Sequence, residues 1–505
     1  MATAEYFDVL IVGAGLSGID AAHHLQRLCP RKSYVIVEQR AHIGGTWDLF
    51  RYPGIRSDSD MLTMGYSFRP WTQPKAISPG DAIREYIEQT ARDEGIDQHI
   101  RFGHRIVRAA WSSEDAKWTL DAMRKLPDGS EEPVTLTCNF LLSCAGYYRY
   151  SAGYLPEFPG VERFEGRVIH PQAWPDDLDY AGKRVVVIGS GATAVTLLPA
   201  IAKTAAHVTM LQRSPTYIIS MPEQDIIANW LRRKLPAMWA YKLSRWKNIG
   251  LTMYIYQLAR RKPDYVKAGL LRRVAAELGP GFDVAKHFNP RYNPWEQRLC
   301  LVPDGDLFQT IKSGRASVVT DHIETFTEKG ILLKSGTELD ADIIVTATGL
   351  VMQAFGGADL LVDGRKVDAG KSLAYKGVMM SEVPNMASVF GYINASWTLK
   401  ADLICTYVCR LLNAMDRKGA RQVTPRAHGE KPVAPFVEHF SAGYIERSLA
   451  DWPKQGSKAP WRVYQNYIRD AISLRWSPVE NAALEFSHPP VAPQRTEREL
   501  VETAR

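Results

Sequence analysis

The chain predicts an α/β fold with two Rossmann-like dinucleotide-binding domains, the second carrying a helical insertion. Three observations predict it. The turn Gly13-Ala-Gly15-Leu-Ser17-Gly18 and the turn Gly189-Ser190-Gly191-Ala192-Thr193-Ala194 each follow a short apolar run, which is how a strand buried on both faces reads. Each turn then opens an apolar helical stretch and a further apolar run. Residues 221–290 have the look of helices set into the second unit, and twelve Lys or Arg stand against one acid, Asp264, between Leu231 and Ala275.

A length of 505 residues suggests two to four domains with ample core. Hydrophobic content of 45% with 23% charged residues is that of a soluble globular protein. A net charge of +7 suits phosphorylated ligands without calling for nucleic acid. The six cysteines show neither metal-ligand spacing nor C-x-x-C, so no metal is expected, and Cys405 and Cys409 read as two buried thiols on one helix face. The first strand begins within ten residues of Met1, leaving no room for a signal peptide, and no apolar run reaches the ~18 residues of a span. The expected location is the cytoplasm.

In order, Asp8-Val-Leu-Ile-Val12 is the first strand, and an Ala-rich helix after Gly18 ends near Pro30. Tyr34-Val-Ile-Val37 is the second strand, closed by Glu38, 20 residues after Gly18. Glycines allow the backbone a tight turn and a close approach to a pyrophosphate, the helix N-terminus offers N–H donors, and an acid at this distance accepts from ribose hydroxyls. The segment Gly44-Gly45-Thr46-Trp47-Asp48-Leu49 and the segment Arg51-Tyr-Pro-Gly54-Ile-Arg56-Ser57-Asp58 would let backbone meet a flat ring and then cover it. A strand from Val134 to Ser143 leads into Cys144-Ala-Gly146-Tyr147, and the first part of the first dinucleotide-binding domain closes near residue 150. The second domain is expected over 151–352, and a second part of the first domain with a C-terminal tail over 353–505.

In the second unit Lys183-Arg-Val-Val-Val-Ile188 is the strand before the turn, and Ala194 replaces the third glycine. His207-Val-Thr-Met-Leu211 ends in Gln212-Arg213-Ser214 instead of an acid. A guanidinium there favours a 2′-phosphate, hence NADP over NAD. Over Leu231–Ala275 the basic residues are expected to form a solvated face over a core of aromatics, while a basic amphipathic helix also allows weak peripheral contact with a membrane. Asp342-Ile-Ile-Val-Thr346 is a later strand, and the Pro- and charge-rich stretch after Ser487 reads as extended or disordered.

Between the two units lies Phe164-Glu-Gly166-Arg-Val-Ile-His170-Pro-Gln-Ala-Trp174-Pro175. At the spacing F-x-G-x-x-x-H-x-x-x-W-P the chain resembles the Baeyer–Villiger monooxygenases, most closely the ethionamide-activating flavoprotein type. The resemblance covers nearly the whole chain and implies an NADPH-dependent flavoprotein monooxygenase. Its C4a-flavin peroxide would insert one oxygen atom of O2 next to the carbonyl of a small hydrophobic ketone, giving an ester or lactone. Oxidation of sulfur or nitrogen, as in sulfides and thioamides, is the alternative.

By the same resemblance Gly13, Gly15, Ser17, Gly18, Glu38, Thr46, Trp47, Asp48, Leu49, Asp58 and Ile106 are FAD contacts. Gly189, Ser190, Gly191, Ala192, Thr193, Ala194, Val195, Arg213 and Ser214 are NADP contacts, and Arg56 and Ser57 reach the nicotinamide side. Arg298 matches the active-site arginine, with Asp58 as its partner. His170 and Trp174 sit in a linker that couples domain movement to chemistry. Gln297 stands where many relatives place a Lys that helps hold the 2′-phosphate, which leaves Arg213 the larger share. A disulfide reductase would need a cysteine pair beside the flavin, which the spacing does not offer. A non-catalytic role would rest on the basic insertion alone.

Overall fold

The computed structural model describes residues 4–297, 299–438 and 440–488. Arg298, and the tail read above as extended or disordered, lie outside them from Pro489 on. Two sheets organise the rest.

The first is built on β1 (Glu5–Val12), β2 (Tyr34–Val37), β3 (Ile100–Arg101), β4 (His104–Ser112), β5 (Lys117–Lys125) and β6 (Glu131–Ser143). Its order runs from the edge pair Arg365–Lys366 and Asp359–Val362 through β4, β5, β6, β1 and β2 to β3. The strands β6, β1, β2 and β3 are parallel, while β4, β5 and β6 form an antiparallel meander. The short strand Met386–Ser388 pairs with the end of β6, bringing the C-terminal part of the chain into the same sheet. The unbroken apolar run of β1 follows from burial on both faces. Val9 and Ile11 pack in one core with the helix α1 (Leu16–Leu28), and Leu10 packs in another with Trp111 and Trp118.

The second sheet uses β7 (Arg167–Ile169), β8 (Arg184–Ile188), β9 (His207–Gln212) and the strands Ala316–Thr320 and Ile343–Thr346. Its order is Ala316–Thr320, β9, β8, Ile343–Thr346, β7, with every pair parallel. The segment read as a linker thus supplies the edge strand β7. A Cβ on Gly18 would lie 1.9 Å from the Gly13 carbonyl oxygen, so only glycine lets α1 sit this close to the turn. In the second unit Ala194 is fully buried in the core under β8, and its methyl fills the corresponding space.

Residues 226–287 hold the helices Ile226–Lys234, Ala237–Arg261, Pro263–Leu278 and Val284–His287. Most of the cations face solvent as expected, but one goes inside and several aromatics, expected in the core, face out. Arg245 is buried, and its Nη1 donates to the Leu62, Thr63 and Gly65 carbonyls at 3.0, 3.0 and 2.7 Å. Those carbonyls belong to the turn Met61–Met64 and its cap, and a buried guanidinium is tolerated because it satisfies several of them at once. Trp230, Trp239, Trp246 and Tyr254 are exposed.

The two ends of the first domain are joined where α1 packs on the helix Trp397–Lys418. His24 Nε2 lies 3.1 Å from Asp402 and 3.6 Å from Asp20, and Arg475 lies 3.0 Å from Asp402. An imidazole and a guanidinium therefore face the two acids. Burial pushes the Asp20 carboxyl up to about 7, against the pull of His24. Because the folded value lies above the unfolded one of 3.8, the stability Asp20 contributes is full below pH ~4 and is lost as pH rises through 7. Asp20→Asn keeps the neutral shape at every pH, so its advantage over the wild type should grow between pH 4 and 7. At ~1.4 kcal/mol per pH unit the ceiling is about 4 kcal/mol. Thermal midpoints at pH 5 and pH 8 check it; an equal difference at both would refute the assignment.

Candidate active site

A cavity opens at the carboxyl ends of both sheets, where open α/β folds bind ligands. Val12 ends β1, Val37 ends β2, Cys144 follows β6 and Ala347 follows Ile343–Thr346, and all four line it. The N-termini of α1 and of the helix Ala192–Ile201 open on the same space, through Leu16 and Ser17 on one side and Ala192 and Thr193 on the other. Neither helix has a side-chain cap or an acid in its first turn. Each therefore offers backbone N–H groups and the positive end of its dipole to an anion.

The glycines shape this space. Gly13 has φ +102°, and a Cβ there would lie 2.6 Å from the Cys144 carbonyl oxygen. Gly15 and Gly45 meet backbone to backbone: a Cβ on Gly45 would be 3.0 Å from the Gly15 Cα. Gly191 differs. Nothing lies within 4 Å of its would-be Cβ, and it lines the cavity, so the backbone there is open to a ligand. Glu38 also lines the cavity. Its carboxylate accepts from the Ala14 and Arg40 amides, both at 2.8 Å, which ties the end of β2 to the glycine turn. Burial raises its pKa against the pull of those amides. Two uncapped helix ends, open glycine backbone and an acid at the end of β2 fit two dinucleotides.

Of the residues expected at FAD, Gly13, Gly15, Ser17, Glu38, Thr46, Trp47, Asp58 and Ile106 line the cavity. Gly18 serves helix packing instead. Asp48 and Leu49 do not line the cavity. Asp48 is fully buried and binds Arg40 at 2.6 Å, with Arg51 and Arg84 close by, and Leu49 is packed into the core of the second sheet. Both are turned away by the docking of the following loop. A Cβ on Gly54 would lie 2.7 Å from the Ala200 Cβ, and Phe50 and Tyr52 share Leu49's core.

On the second unit Gly191, Ala192, Thr193 and Val195 line the cavity. Gly189 packs against Ala347, where a Cβ would lie 2.4 Å from its carbonyl oxygen. The Ser190 hydroxyl bonds to Thr216 Oγ1 at 2.8 Å and to the Ser214 carbonyl at 3.2 Å. Arg213 and Ser214 are exposed just past β9, where a 2′-phosphate can reach them from solvent. Ser57 and Arg56 line the cavity, but the Arg56 guanidinium is held across the two units by Asp306 at 2.5 and 3.2 Å. Gln297 Nε2 lies 3.5 Å from Ser441 Oγ. Arg298, the matched active-site arginine, is outside the described residues.

His170 does not reach the cavity but holds one of its walls. Its Nδ1 accepts from the Gln172 amide at 3.1 Å, so Nε2 carries the proton and donates to the Gly349 carbonyl at 3.2 Å. Gly349 lines the cavity. Burial lowers the His170 pKa and keeps the ring neutral. Gly153 abuts this ring, since a Cβ there would lie 2.0 Å from its Cε1. Phe164 is buried against Phe326, a Cβ on Gly166 would lie 2.5 Å from Phe164, and Trp174 meets Tyr180 edge-on. The spacing of the motif is therefore that of a packed strand whose His fixes the turn after Ile343–Thr346. His170→Ala should leave the protein folded and flavin-bound while changing kcat and KM together, by about tenfold. Loss of flavin, or unaltered turnover, would rule out that role.

Sequence reasoning missed Tyr52, Tyr150, Tyr392 and Trp397 as cavity walls. Trp397 Nε1 donates to Ser17 Oγ at 2.8 Å, and its ring stacks on Tyr147 at 5.0 Å. The run Tyr147-Tyr148-Arg149-Tyr150, shortly after β6, was the available signal for Tyr150.

A model of the family described as flavin-binding monooxygenase-like matches residues 8–228. The FAD-containing monooxygenase EthA of Mycolicibacterium smegmatis is 55% identical over 485 residues, 96% of this chain and 97% of that protein. Among solved structures, oxidized steroid monooxygenase bound to NADP superposes with a TM-score of 0.71 at 22% identity, covering 95% of this chain and 99% of that one. An open crystal structure of cyclohexanone monooxygenase gives a TM-score of 0.71 at 19% identity, covering 96% and 100%. At these identities the two structures speak for the fold.

Proposed function

The chain belongs to the flavin-binding, FAD-containing monooxygenases, and from that premise we propose that it uses FAD and NADPH to insert one oxygen atom of O2 next to a ketone carbonyl, giving an ester or lactone. The observation that carries this reading is the single cavity onto which both uncapped helix N-termini open, since hydride transfer requires two dinucleotides to meet. In this reading residues 1–150 and 353–505 hold FAD and residues 151–352 hold NADPH.

When bound, the flavin supplies acceptance of a hydride from NADPH and activation of O2. The protein supplies placement. Leu16 and Ser17 would present amides to the FAD pyrophosphate, Glu38 would accept from its ribose, and Gly45, Thr46 and Trp47 would bring backbone and then a ring against the flavin. Gly191, Ala192 and Thr193 would present amides to the NADPH pyrophosphate. Tyr52, Tyr147 and Trp397 exclude water from the space between them, which strengthens every charge interaction there. By the resemblance Arg298 would supply the positive charge at the reacting oxygen, with Asp58 as its partner. A cation there favours an anionic, nucleophilic oxygen donor and hence attack on a carbonyl; attack by sulfur or nitrogen on a neutral donor is the second reading.

NADPH is preferred to NADH through Arg213. Removing one charge-assisted phosphate contact costs on the order of 1.5–3 kcal/mol, so Arg213→Ala should lower NADPH affinity roughly ten- to a hundredfold and leave NADH nearly unchanged. Steady-state constants for both cofactors check this, and an unchanged ratio would exclude the residue. The reaction class is tested by NADPH consumption, corrected for hydrogen peroxide, across a panel of ketones and sulfides. Ketone-dependent, peroxide-free consumption is expected.

A further inference from the structure

The helix Ala237–Arg261 turns an apolar ridge outward. Trp239, Leu243, Trp246 and Tyr254 are 65%, 49%, 54% and 65% exposed, and their spacing sets them on one face of the helix. The opposite face, with Tyr241, Arg245 and Asn248, is buried. This inverts the usual pattern, in which the apolar stripe faces the core. The preceding helix, packed against this one, exposes Ile226, Ile227 and Trp230. Tyr467, whose ring meets Trp246 edge-on at 5.7 Å, begins a segment in which Ile468, Ile472 and Trp476 are exposed as well. Contiguous apolar surface of this kind marks an interaction site.

Charge identifies the occupant. Lys242, Arg260 and Arg261 are exposed on the helix that bears the ridge, Arg233 and Lys234 end the helix before it, and Lys262 follows. Asp264 is the one acid between Leu231 and Ala275. A second copy of the same face would bring like charges together, because a twofold contact pairs a patch with itself. An anionic lipid surface meets both features, taking Trp, Tyr and Leu into the headgroup boundary and the cations to its phosphates.

We propose that this face docks the enzyme on anionic lipid bilayers without spanning them; no helix among the described residues is long and apolar enough to cross one. The inner side of the same helix gives the docking a purpose. Ile249, Thr252, Met253 and Tyr256 line a small cavity that shares Tyr392 and Ala395 with the main one. If the monooxygenase reading holds, docking sets a wall of the site, through Tyr392 and Ala395, close to a lipophilic substrate dissolved in the bilayer.

The test is binding, not turnover. Flavin-loaded protein is sedimented with vesicles of phosphatidylcholine alone and with vesicles containing phosphatidylglycerol, at low and high salt. Binding to the anionic vesicles, weakened by salt and by about tenfold or more in both Trp239→Ser/Leu243→Ser and Lys242→Glu/Arg261→Glu, is the expected result. Flavin content and NADPH oxidation by both double variants in the absence of lipid should equal those of the wild type, which shows that they fold. Failure to bind anionic vesicles, binding that ignores both variants, or a concentration-dependent dimer abolished by Trp239→Ser/Leu243→Ser would overturn the proposal.

Discussion

Replacing Gly191 by Val should give a protein that folds and stays yellow but needs roughly a hundredfold more NADPH to turn over. The backbone at Gly191 is extended, with φ −78° and ψ −175°, a conformation open to any residue. Beyond its chain neighbours no protein atom lies within 4 Å of the added Cβ, so the fold bears little cost. The side chain instead projects into the cavity at the helix N-terminus, where the proposed NADPH pyrophosphate would approach the amides of Ala192 and Thr193. Gly13→Val is the contrast. There φ is +102° and the Cβ would lie 2.6 Å from the Cys144 carbonyl oxygen, so the first sheet itself is strained and flavin is lost with it. Cofactor titrations and flavin content of the two variants separate a ligand-facing glycine from a packing one. Equal flavin loss in both would contradict the distinction.

The second large effect is expected of Arg298→Ala. A fixed cation in a cavity that has shed water stabilises developing negative charge far more than one in solvent, and losing one such contact typically costs ~10²–10³ in rate. The variant should bind FAD and NADPH and still consume NADPH. Its electrons should appear as hydrogen peroxide instead of oxygenated ketone. Near-normal ester formation would remove Arg298 from the reaction, and the ketone preference with it.

What was legible in the sequence was local. The strand, glycine turn, helix, second strand and closing residue of each unit lie within about 30 consecutive positions. Glu38 and Arg213 could therefore be placed from spacing alone, and β2 runs over the expected Tyr34–Val37. What was not legible depends on long-range packing. Asp48 and Leu49 follow the paired glycines as ligands would, but the docking of Phe50, Tyr52 and Gly54 on the second unit turns them inward. Trp397 reaches Ser17 from the far end of the chain, and nothing near either residue signals the other. In the insertion, composition showed that aromatics and cations alternate but not which side each takes. Arg245 went inside because the carbonyls of the turn Met61–Met64 awaited donors there. The linker motif was recognisable as a spacing, yet its work of pinning Gly349 appears only when β7 joins the second sheet.

The central claim is that one cavity brings FAD and NADPH together to oxygenate a ketone. It is tested most directly by supplying the flavin-loaded enzyme with NADPH and ¹⁸O2, and with a ketone and a sulfide in competition, then analysing products by mass spectrometry. The account predicts an ester or lactone carrying one labelled oxygen, the other label in water, and one NADPH consumed per product. Recovery of unchanged ketone, with the NADPH accounted for by sulfoxide or by hydrogen peroxide, would contradict it.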